Sequence, residues 1–559
     1  SGDDEVALSH RVVMASIGYE IDVNNTKPII GIADSSSDLN PCNLPLRNFI
    51  PEIQRGIIEA GGIPVVFPVM SLGEDLMKPS AMLYRNMLSM EVEEYLRSYP
   101  IDGVVLLANC DKSVPGSLMG AISTDLPTIM FTAGARPVAE FRGKPIGTGT
   151  DLWRMWSDYR AKKISEETWK EFEGCLNCGL GSCNTMGTAS SVAMMVEALG
   201  LTLPGTSVIP ENNPARKVAA FNSGREIVKM VNNEVIPSKI LTPAAFRNAM
   251  RVLHACGGST NAIIHLLAIS GRIDGGLTIG AINELGTGLA VIADVEPSGA
   301  KLIQDFNQAG GLPALIANCG ENFELDEQTL IGKSWREIVK GISPTNKTIR
   351  KLDDPIYPSA AFAVVKGNLA PNGAVIKISA ASKELLSHTG PAVVFHGYAD
   401  MRSRIDDPTL NITKDSVLVL RDCGPVGVPG MPEWGMIPVP KKLIEAGVTD
   451  MVRISDARMS GTSFGTCVLH ISPESAVGGP LALVKDGDQI KLDVSSGSLE
   501  LLVDNGEIEK RKLNWQAPVS EHLRGWPALY QAHVMQADLG CDLDSYAQKT
   551  RLSADLYHR

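Results

Sequence analysis

Residues 103–110 read Gly-Val-Val-Leu-Leu-Ala-Asn-Cys, and Asp111 and Lys112 follow at once. A short unbroken apolar run with glycine before it and polar residues after it suits a strand buried on both faces of a parallel sheet. The same texture recurs on either side. Residues 27–34 (Lys-Pro-Ile-Ile-Gly-Ile-Ala-Asp) and 63–70 form two such runs upstream, and residues 127–134 a fourth downstream. Between the first two, Phe49, Ile50, Ile53, Ile57 and Ile58 mark one face of a helix, which Gly61-Gly62 ends. Residues 82–97 and 116–124 supply two more helices. Repeated βαβ predicts an α/β domain with a doubly wound, mostly parallel sheet.

Beyond it, residues 151–173 read as a polar helical insertion rich in tryptophan and charge. Helical periodicity then dominates through residues 188–201, 215–233, 242–255 and 261–270. After residue 345 short β-rich runs separated by Gly, Pro and Asp take over, at 373–379, 391–396, 416–421, 451–454, 481–484 and 489–494. That pattern predicts a C-terminal β-barrel-like domain. Two domains are therefore expected, residues 1–365 and 366–559.

The chain has 559 residues, 44% of them apolar, enough for two sizeable cores. Its net charge of −12 is spread along the length. Nucleic acid and anionic membrane, which need a basic face, are excluded as partners, leaving a small molecule. No apolar run reaches the roughly 18 residues of a spanning helix, and the opening Ser-Gly-Asp-Asp-Glu does not resemble a signal peptide. The expected location is cytoplasmic, or organellar after removal of a transit peptide. Ten cysteines are too few for a disulfide scaffold in a chain of this size.

In an open α/β sheet, ligands collect beyond the carboxyl ends of the strands. After the first predicted strand comes Ser-Ser-Ser-Asp-Leu-Asn-Pro-Cys, ending at Cys42. The second leads to Ser-Leu-Gly-Glu-Asp, with Glu74 and Asp75, and the third to Cys110-Asp111-Lys112. One sheet edge thus receives two thiols, three carboxylates and a lysine. Soft sulfur suits iron–sulfur or zinc, and hard oxygen suits magnesium or manganese, so two different metals side by side is the natural inference. Each residue also has an ordinary reading: buried thiols as core, Asp111 as a helix cap, Glu74 and Lys112 as solvated surface charge.

A third thiol comes from Cys175, Cys178 or Cys183. No second Cys-x-x-Cys and no histidine pair follows, which argues against a closed zinc site. Cys183 lies in a glycine-rich loop feeding a helix, where backbone N–H groups favour a thiolate. It is the preferred ligand, with Cys175 and Cys178 as spectators.

These segments resemble the dihydroxy-acid and sugar-acid dehydratase family. The resemblance rests on Ser-Asp-Leu-Asn-Pro-Cys-Asn, Cys-Asp-Lys-Ser-Val-Pro-Gly, Gly-Ser-Cys-Asn-Thr-Met-Gly-Thr-Ala-Ser and Glu-Ala-Leu-Gly-Leu-Thr-Leu-Pro-Gly. It extends to residues 257–262 (Gly-Gly-Ser-Thr-Asn-Ala), 424–433 (Gly-Pro-Val-Gly-Val-Pro-Gly-Met-Pro-Glu) and 455–462 (Ser-Asp-Ala-Arg-Met-Ser-Gly-Thr). The blocks follow the family's order over nearly the whole chain.

The resemblance implies elimination of water from a 2,3-dihydroxy acid. It implies an iron–sulfur cluster, [2Fe-2S] in preference to [4Fe-4S], on Cys42, Cys110 and Cys183. It further implies magnesium at Glu74, Asp111, Lys112 and Glu433, with Lys112 carrying a carbamate. An ammonium cannot ligate a metal, whereas a carbamate offers an anionic oxygen. Ser460 matches the catalytic base, Thr462 is a candidate substrate-binding residue, and a homodimer or homotetramer is expected.

Glu74, in Ser-Leu-Gly-Glu with residues 82–87 behind it, resembles the pentonate and hexonate (L-arabinonate-type) dehydratases. Branched-chain-acid members carry an aspartate in a Ser-Asp-Gly loop there. Asn109 stands where these relatives often have glycine. The alternatives are a dihydroxy-acid dehydratase of branched-chain amino acid synthesis and a non-enzymatic iron–sulfur electron carrier or binding protein. A carrier would close its cluster with a fourth thiolate, from Cys175 or Cys178.

Overall fold

The computed structural model describes residues 4–21, 24, 27–176 and 179–547. Strands β1 (Ile29–Asp34), β2 (Ile63–Pro68), β3 (Gly103–Leu107) and β4 (Thr128–Phe131) form one parallel sheet in the order β2-β1-β3-β4. Every residue of β3 is buried, as a strand covered on both faces must be. The crossovers are the helices Ile50–Glu59, Met82–Ser98 and Ser113–Thr124. The last starts three residues earlier than its periodicity suggests. Pro115 sits in its first turn, where a missing N–H costs no helix bond.

Glycine lets these helices pack closely. A Cβ on Gly56 would lie 2.1 Å from the carbonyl oxygen of Phe221, and one on Gly120 would lie 2.4 Å from that of Ser89. The first contact joins Ile50–Glu59 to the helix Ala215–Asn232. The second joins Ser113–Thr124 to Met82–Ser98.

A hairpin, β5 (Ala139–Phe141) with β6 (Lys144–Ile146), leads into the predicted insertion. This consists of the helices Thr150–Arg160 and Glu166–Leu176, joined by packed rings of Trp156, Tyr159 and Trp169. The N-terminal part also contains the helices Thr188–Ala198, Pro243–Cys256 and Thr260–Arg272, and the first of them is buried along its whole length.

The C-terminal part is a closed barrel of β7 (Phe362–Gly367), β8 (Ala370–Lys377), β9 (Ser387–His396), β10 (Val417–Arg421), β11 (Arg453–Ser455), β12 (Cys467–Ser472), β13 (Gln489–Asp493) and β14 (Ser498–Leu501). Their order around the barrel is β10-β11-β12-β8-β7-β14-β13-β9. The expected strand at 481–484 is instead a 3₁₀ turn, Pro480–Leu483, whose Leu481 contributes to the barrel core. Pro480 has no N–H for a ladder. Strands β7, β12 and β14 were not anticipated. β12 carries His470 within a fully buried run, and β14 alternates apolar with polar, so neither presents a continuous apolar signal.

Side-chain alternation joins the two parts. Phe362, Val364 and Val375 belong to the N-terminal core, while Val365, Ala374 and Ile376 belong to the core of the barrel. After the barrel, the chain returns to the first domain. Tyr530, Cys541 and Leu543 pack with Met82, Leu83 and Ile264, and Asp542 makes a buried two-pronged pair with Arg272 at 2.6 and 2.8 Å. Among the described residues, no helix is long and apolar enough to cross a membrane.

Candidate active site

The loops after β1, β3 and β4 are sewn together by two asparagines and a glycine. Asn43 Oδ1 accepts from the backbone N–H groups of Asn109 and Cys110, at 3.1 and 2.8 Å. Asn109 donates to the carbonyls of Cys42 and Gly134, at 2.8 and 2.9 Å, and accepts from the N–H of Gly134 at 2.8 Å. The Cys183 loop joins them, because the N–H of Ser182 donates to Gly134 O and that of Gly181 to Pro41 O, both at 3.0 Å. Gly134 has φ +92°, and a Cβ there would lie 2.1 Å from the carbonyl oxygen of Ile209. Only glycine suits that position.

These bonds gather the three predicted thiols. Cys42 and Cys110 are buried and within hydrogen-bonding reach of each other. That bond, and then burial, holds the Cys110 thiol well above its ordinary pKa. Burial and the neighbouring Cys42 push Cys183 up to about 12, against the pull of Arg136. Cys183 precedes its helix by five residues rather than capping it, so lost hydration outweighs the helix dipole anticipated for it. Cys175 packs instead with Trp169 and Phe172 in the insertion, and Cys178 lies outside the described residues.

Beside the thiols, carboxylate oxygens of Glu74, Asp111 and Glu433 lie within 4.8 Å of one another. The fully buried Lys112 ammonium sits among them, 3.1 Å from Glu74, 2.5 Å from Asp111 and 3.0 Å from Glu433. Burial and Arg458 push the Lys112 pKa down, but the three carboxylates together prevail and hold it above that of an ordinary lysine. Burial raises the Glu74 carboxyl despite Lys112. It would raise Glu433 too, but Lys112 and Arg458 together hold that carboxyl low. Asp75, the third carboxylate expected at this edge, is exposed outside the group.

Several partners were not anticipated. Arg458, fully buried, donates to Glu433 at 2.9 Å and to Ser80 at 2.8 Å. Ser80 in turn donates to Glu74 at 2.8 Å. Asn261 donates to Glu433 at 2.7 Å and to the carbonyl of Met459 at 3.0 Å. Ser113 exchanges hydrogen bonds with the backbone of Leu72, fixing the loop that carries Glu74. Arg458 and Asn261 lie within the motif blocks, but nothing in their spacing says what they touch.

Among the described residues, the buried Glu74 Oε2 has no hydrogen-bond partner, although the Lys112 ammonium lies 3.1 Å away. Three neighbouring thiols and three crowded carboxylates are donor sets that cations complete. Sulfur suits iron, and oxygen suits magnesium. The residues present fit both groups.

Ser460 follows Met459 on the barrel side. Its hydroxyl lies 3.0 Å from that of Thr462, and a Cβ on the intervening Gly461 would lie 2.5 Å from the N–H nitrogen of Thr188. The turn therefore presses onto the start of the helix Thr188–Ala198, in the domain that carries the thiols.

A parallel α/β domain and a closed barrel thus meet at one acidic centre beside the thiols. The chain belongs to the dihydroxy-acid/6-phosphogluconate dehydratase family, whose N-terminal model matches residues 27–338 and whose C-terminal model matches 347–541. It is 45% identical to a 6-deoxy-6-sulfo-D-gluconate dehydratase of Pseudomonas putida, over 96% of this chain and 94% of the relative. It is 44% identical to an L-arabinonate dehydratase of Rhizobium leguminosarum bv. trifolii, over 97% and 94%. A dihydroxy-acid dehydratase of Methanobrevibacter smithii is 34% identical, over 96% and 97%.

Proposed function

We propose that the chain is a hydro-lyase that removes water from a 2,3-dihydroxy sugar acid, a pentonate or hexonate, and leaves the 2-keto-3-deoxy acid. The observation that supports this reading is the meeting of Glu74, Asp111, Lys112 and Glu433 beside the three thiols, with the turn that follows Met459 tied to it through Asn261, which donates to both Glu433 and Met459 O. Cys42, Cys110 and Cys183 would hold an iron–sulfur cluster, [2Fe-2S] in preference to [4Fe-4S]. Glu74, Asp111, Glu433 and the carbamate of Lys112 would hold magnesium. Bound there, the two groups supply Lewis acidity for loss of the 3-hydroxyl and for charge developing next to the carboxylate.

The remaining work falls to this chain's own residues. Arg458, Ser80 and Asn261 orient the carboxylates, so that little reorganisation is left for the reaction itself. Ser460, in its deprotonated form, takes the proton from C2. A serine hydroxyl is a poor base at neutral pH, so its oxygen needs donors and nearby positive charge. The enol that results tautomerises to the keto acid.

The sugar-acid preference is supported by the sugar-acid names of the relatives at 44–45% identity, against 34% for the dihydroxy-acid dehydratase. Keto-acid production by anaerobically reconstituted enzyme tests it, with pentonates, hexonates and 2,3-dihydroxyisovalerate offered in parallel. The highest kcat/KM belongs to an aldonate if the reading holds, and a higher value for the branched acid would overturn it.

A further inference from the structure

The insertion helix Thr150–Arg160 touches the Ser460 turn through the Trp153 indole and the Thr150 hydroxyl. Trp153 Nε1 lies 3.1 Å from Thr462 Oγ1, and Thr462 Oγ1 lies 3.0 Å from Ser460 Oγ. The contact is fitted closely. The hydroxyl of Thr150 donates to the carbonyl of Thr462 at 2.9 Å. A Cβ on Gly149 would fall 2.4 Å from Thr462 Oγ1, and the φ of +89° at that glycine already disfavours one.

The chemistry of the three groups gives the chain a direction. An indole N–H only donates, so Trp153 fills one acceptor position of the threonine oxygen. Thr462 has one hydrogen of its own, and its side chain is nearly buried. Among the described residues, its hydroxyl oxygen has no hydrogen-bond partners besides the indole, which cannot accept, and Ser460 Oγ. Leaving a buried hydroxyl hydrogen without an acceptor is costly, so Thr462 gives it to Ser460. The backbone N–H of Thr462 also points at Ser460 Oγ, at 3.4 Å. Ser460 Oγ is therefore the acceptor of two donors from one residue, and its own hydrogen is directed elsewhere.

We propose that Trp153 is a positioning residue that fixes the polarity of a Trp153→Thr462→Ser460 hydrogen-bond chain, with Thr462 the donor that holds the Ser460 oxygen when it carries negative charge. The inference rests on the reading of Ser460 as the base. The insertion thereby gains a part in the chemistry, although none of its residues belongs to the metal-ligand set.

The test uses the reconstituted enzyme and four variants. Thr462→Val deletes the donor and lowers kcat about 100-fold, the effect of losing one oxyanion donor, with KM little changed. Thr462→Ser keeps the hydroxyl and restores kcat to within a few-fold of wild type. Trp153→Phe keeps an aromatic ring but removes the indole N–H, and lowers kcat about tenfold, the scale of one directional hydrogen bond. The double variant Trp153→Phe/Thr462→Val is no slower than Thr462→Val alone, because the indole acts only through the threonine.

A separate readout comes from the indole ¹⁵N–H spectrum of tryptophan-labelled protein. The signal missing from Trp153→Phe shifts in Thr462→Val and stays in place in Thr462→Ser. Wild-type kcat in Trp153→Phe, multiplicative losses in the double variant, or an indole signal unmoved by Thr462→Val would each overturn the proposal. Should Thr462→Val fail to fold, Trp153→Phe and Thr462→Ser still decide it. Near-normal turnover in Ser460→Ala would instead overturn the underlying reading of Ser460, whereas an inactive Ser460→Ala beside an unaffected Trp153→Phe would overturn this inference alone.

Discussion

The guanidinium of Arg458 donates to Glu433 Oε1 at 2.9 Å and, through its other terminal nitrogen, to Ser80, whose hydroxyl donates to Glu74. A single buried arginine thus orients one carboxylate from each domain. Asn261 and Lys112 reach the same oxygen of Glu433, at 2.7 and 3.0 Å.

Arg458→Met should therefore be one of the most damaging single changes in the barrel. In the metal-free chain, with Lys112 as its ammonium, Glu433 would keep only Lys112 as counter-charge while facing two other carboxylates. Breaking a buried pair by removing one partner costs about 3–5 kcal/mol. Glu433 retains 16% side-chain exposure, which places the expected loss near the lower figure. Chemical denaturation measures it, and a stability unchanged from wild type would mean that the pair contributes nothing.

Alanine at Cys42, Cys110 or Cys183 should each reduce bound iron and acid-labile sulfide to near zero. Cys175→Ala should leave both at wild-type levels, because that thiol packs among aromatic rings of the insertion. Metal analysis after identical anaerobic reconstitution separates the two groups. Full iron content in Cys183→Ala would remove that residue from the ligand set.

Ser460→Ala should keep fold, iron and magnesium yet lose about a hundred- to ten-thousand-fold in kcat, the range for a positioned general base. The thiols proposed to hold the cluster come from the α/β domain, and Glu433 sits on a different loop, so assembly should not depend on this hydroxyl. Iron content, visible absorption and keto-acid production measured together distinguish the outcomes. Lost iron would give Ser460 a structural role, and near-normal turnover would hand the proton to another group.

Asn109→Ala removes three hydrogen bonds that tie the loop of Cys42 to Gly134. At about 1 kcal/mol for each bond, and more for a buried group left unpaired, about 3 kcal/mol of stability should be lost. The three cysteine loops also lose their common anchor, so iron should escape to a chelator faster than from wild type. The time course of chelator-induced bleaching checks this, and an unaltered rate would show that the loops hold their places without Asn109.

The α/β class was legible because buried parallel strands must be short and apolar, and residues 29–34, 63–68, 103–107 and 128–131 are all of that kind. The barrel was legible as a class but not strand by strand. β12 hides His470 in a fully buried run, and the 3₁₀ turn Pro480–Leu483 imitates a strand by supplying apolar side chains to the core from a turn. Asn109 had no visible purpose in the sequence, because its two side-chain partners, Cys42 and Gly134, lie 67 and 25 residues away.

By itself the sequence determined which polar residues and thiols would gather at one edge of the sheet. Thiols, carboxylates and a lysine placed at strand ends must emerge at one sheet edge, since side chains at the carboxyl ends of parallel strands share one crevice. Only the tertiary structure decided how those residues are held. Arg458 reaches Glu433 and Ser80, Lys112 sits among three carboxylates, and Trp153 meets Thr462 across 309 residues of chain. These contacts depend on how the barrel and the insertion dock against the sheet. Docking is set by shape and close packing over many residues, and no local pattern encodes it.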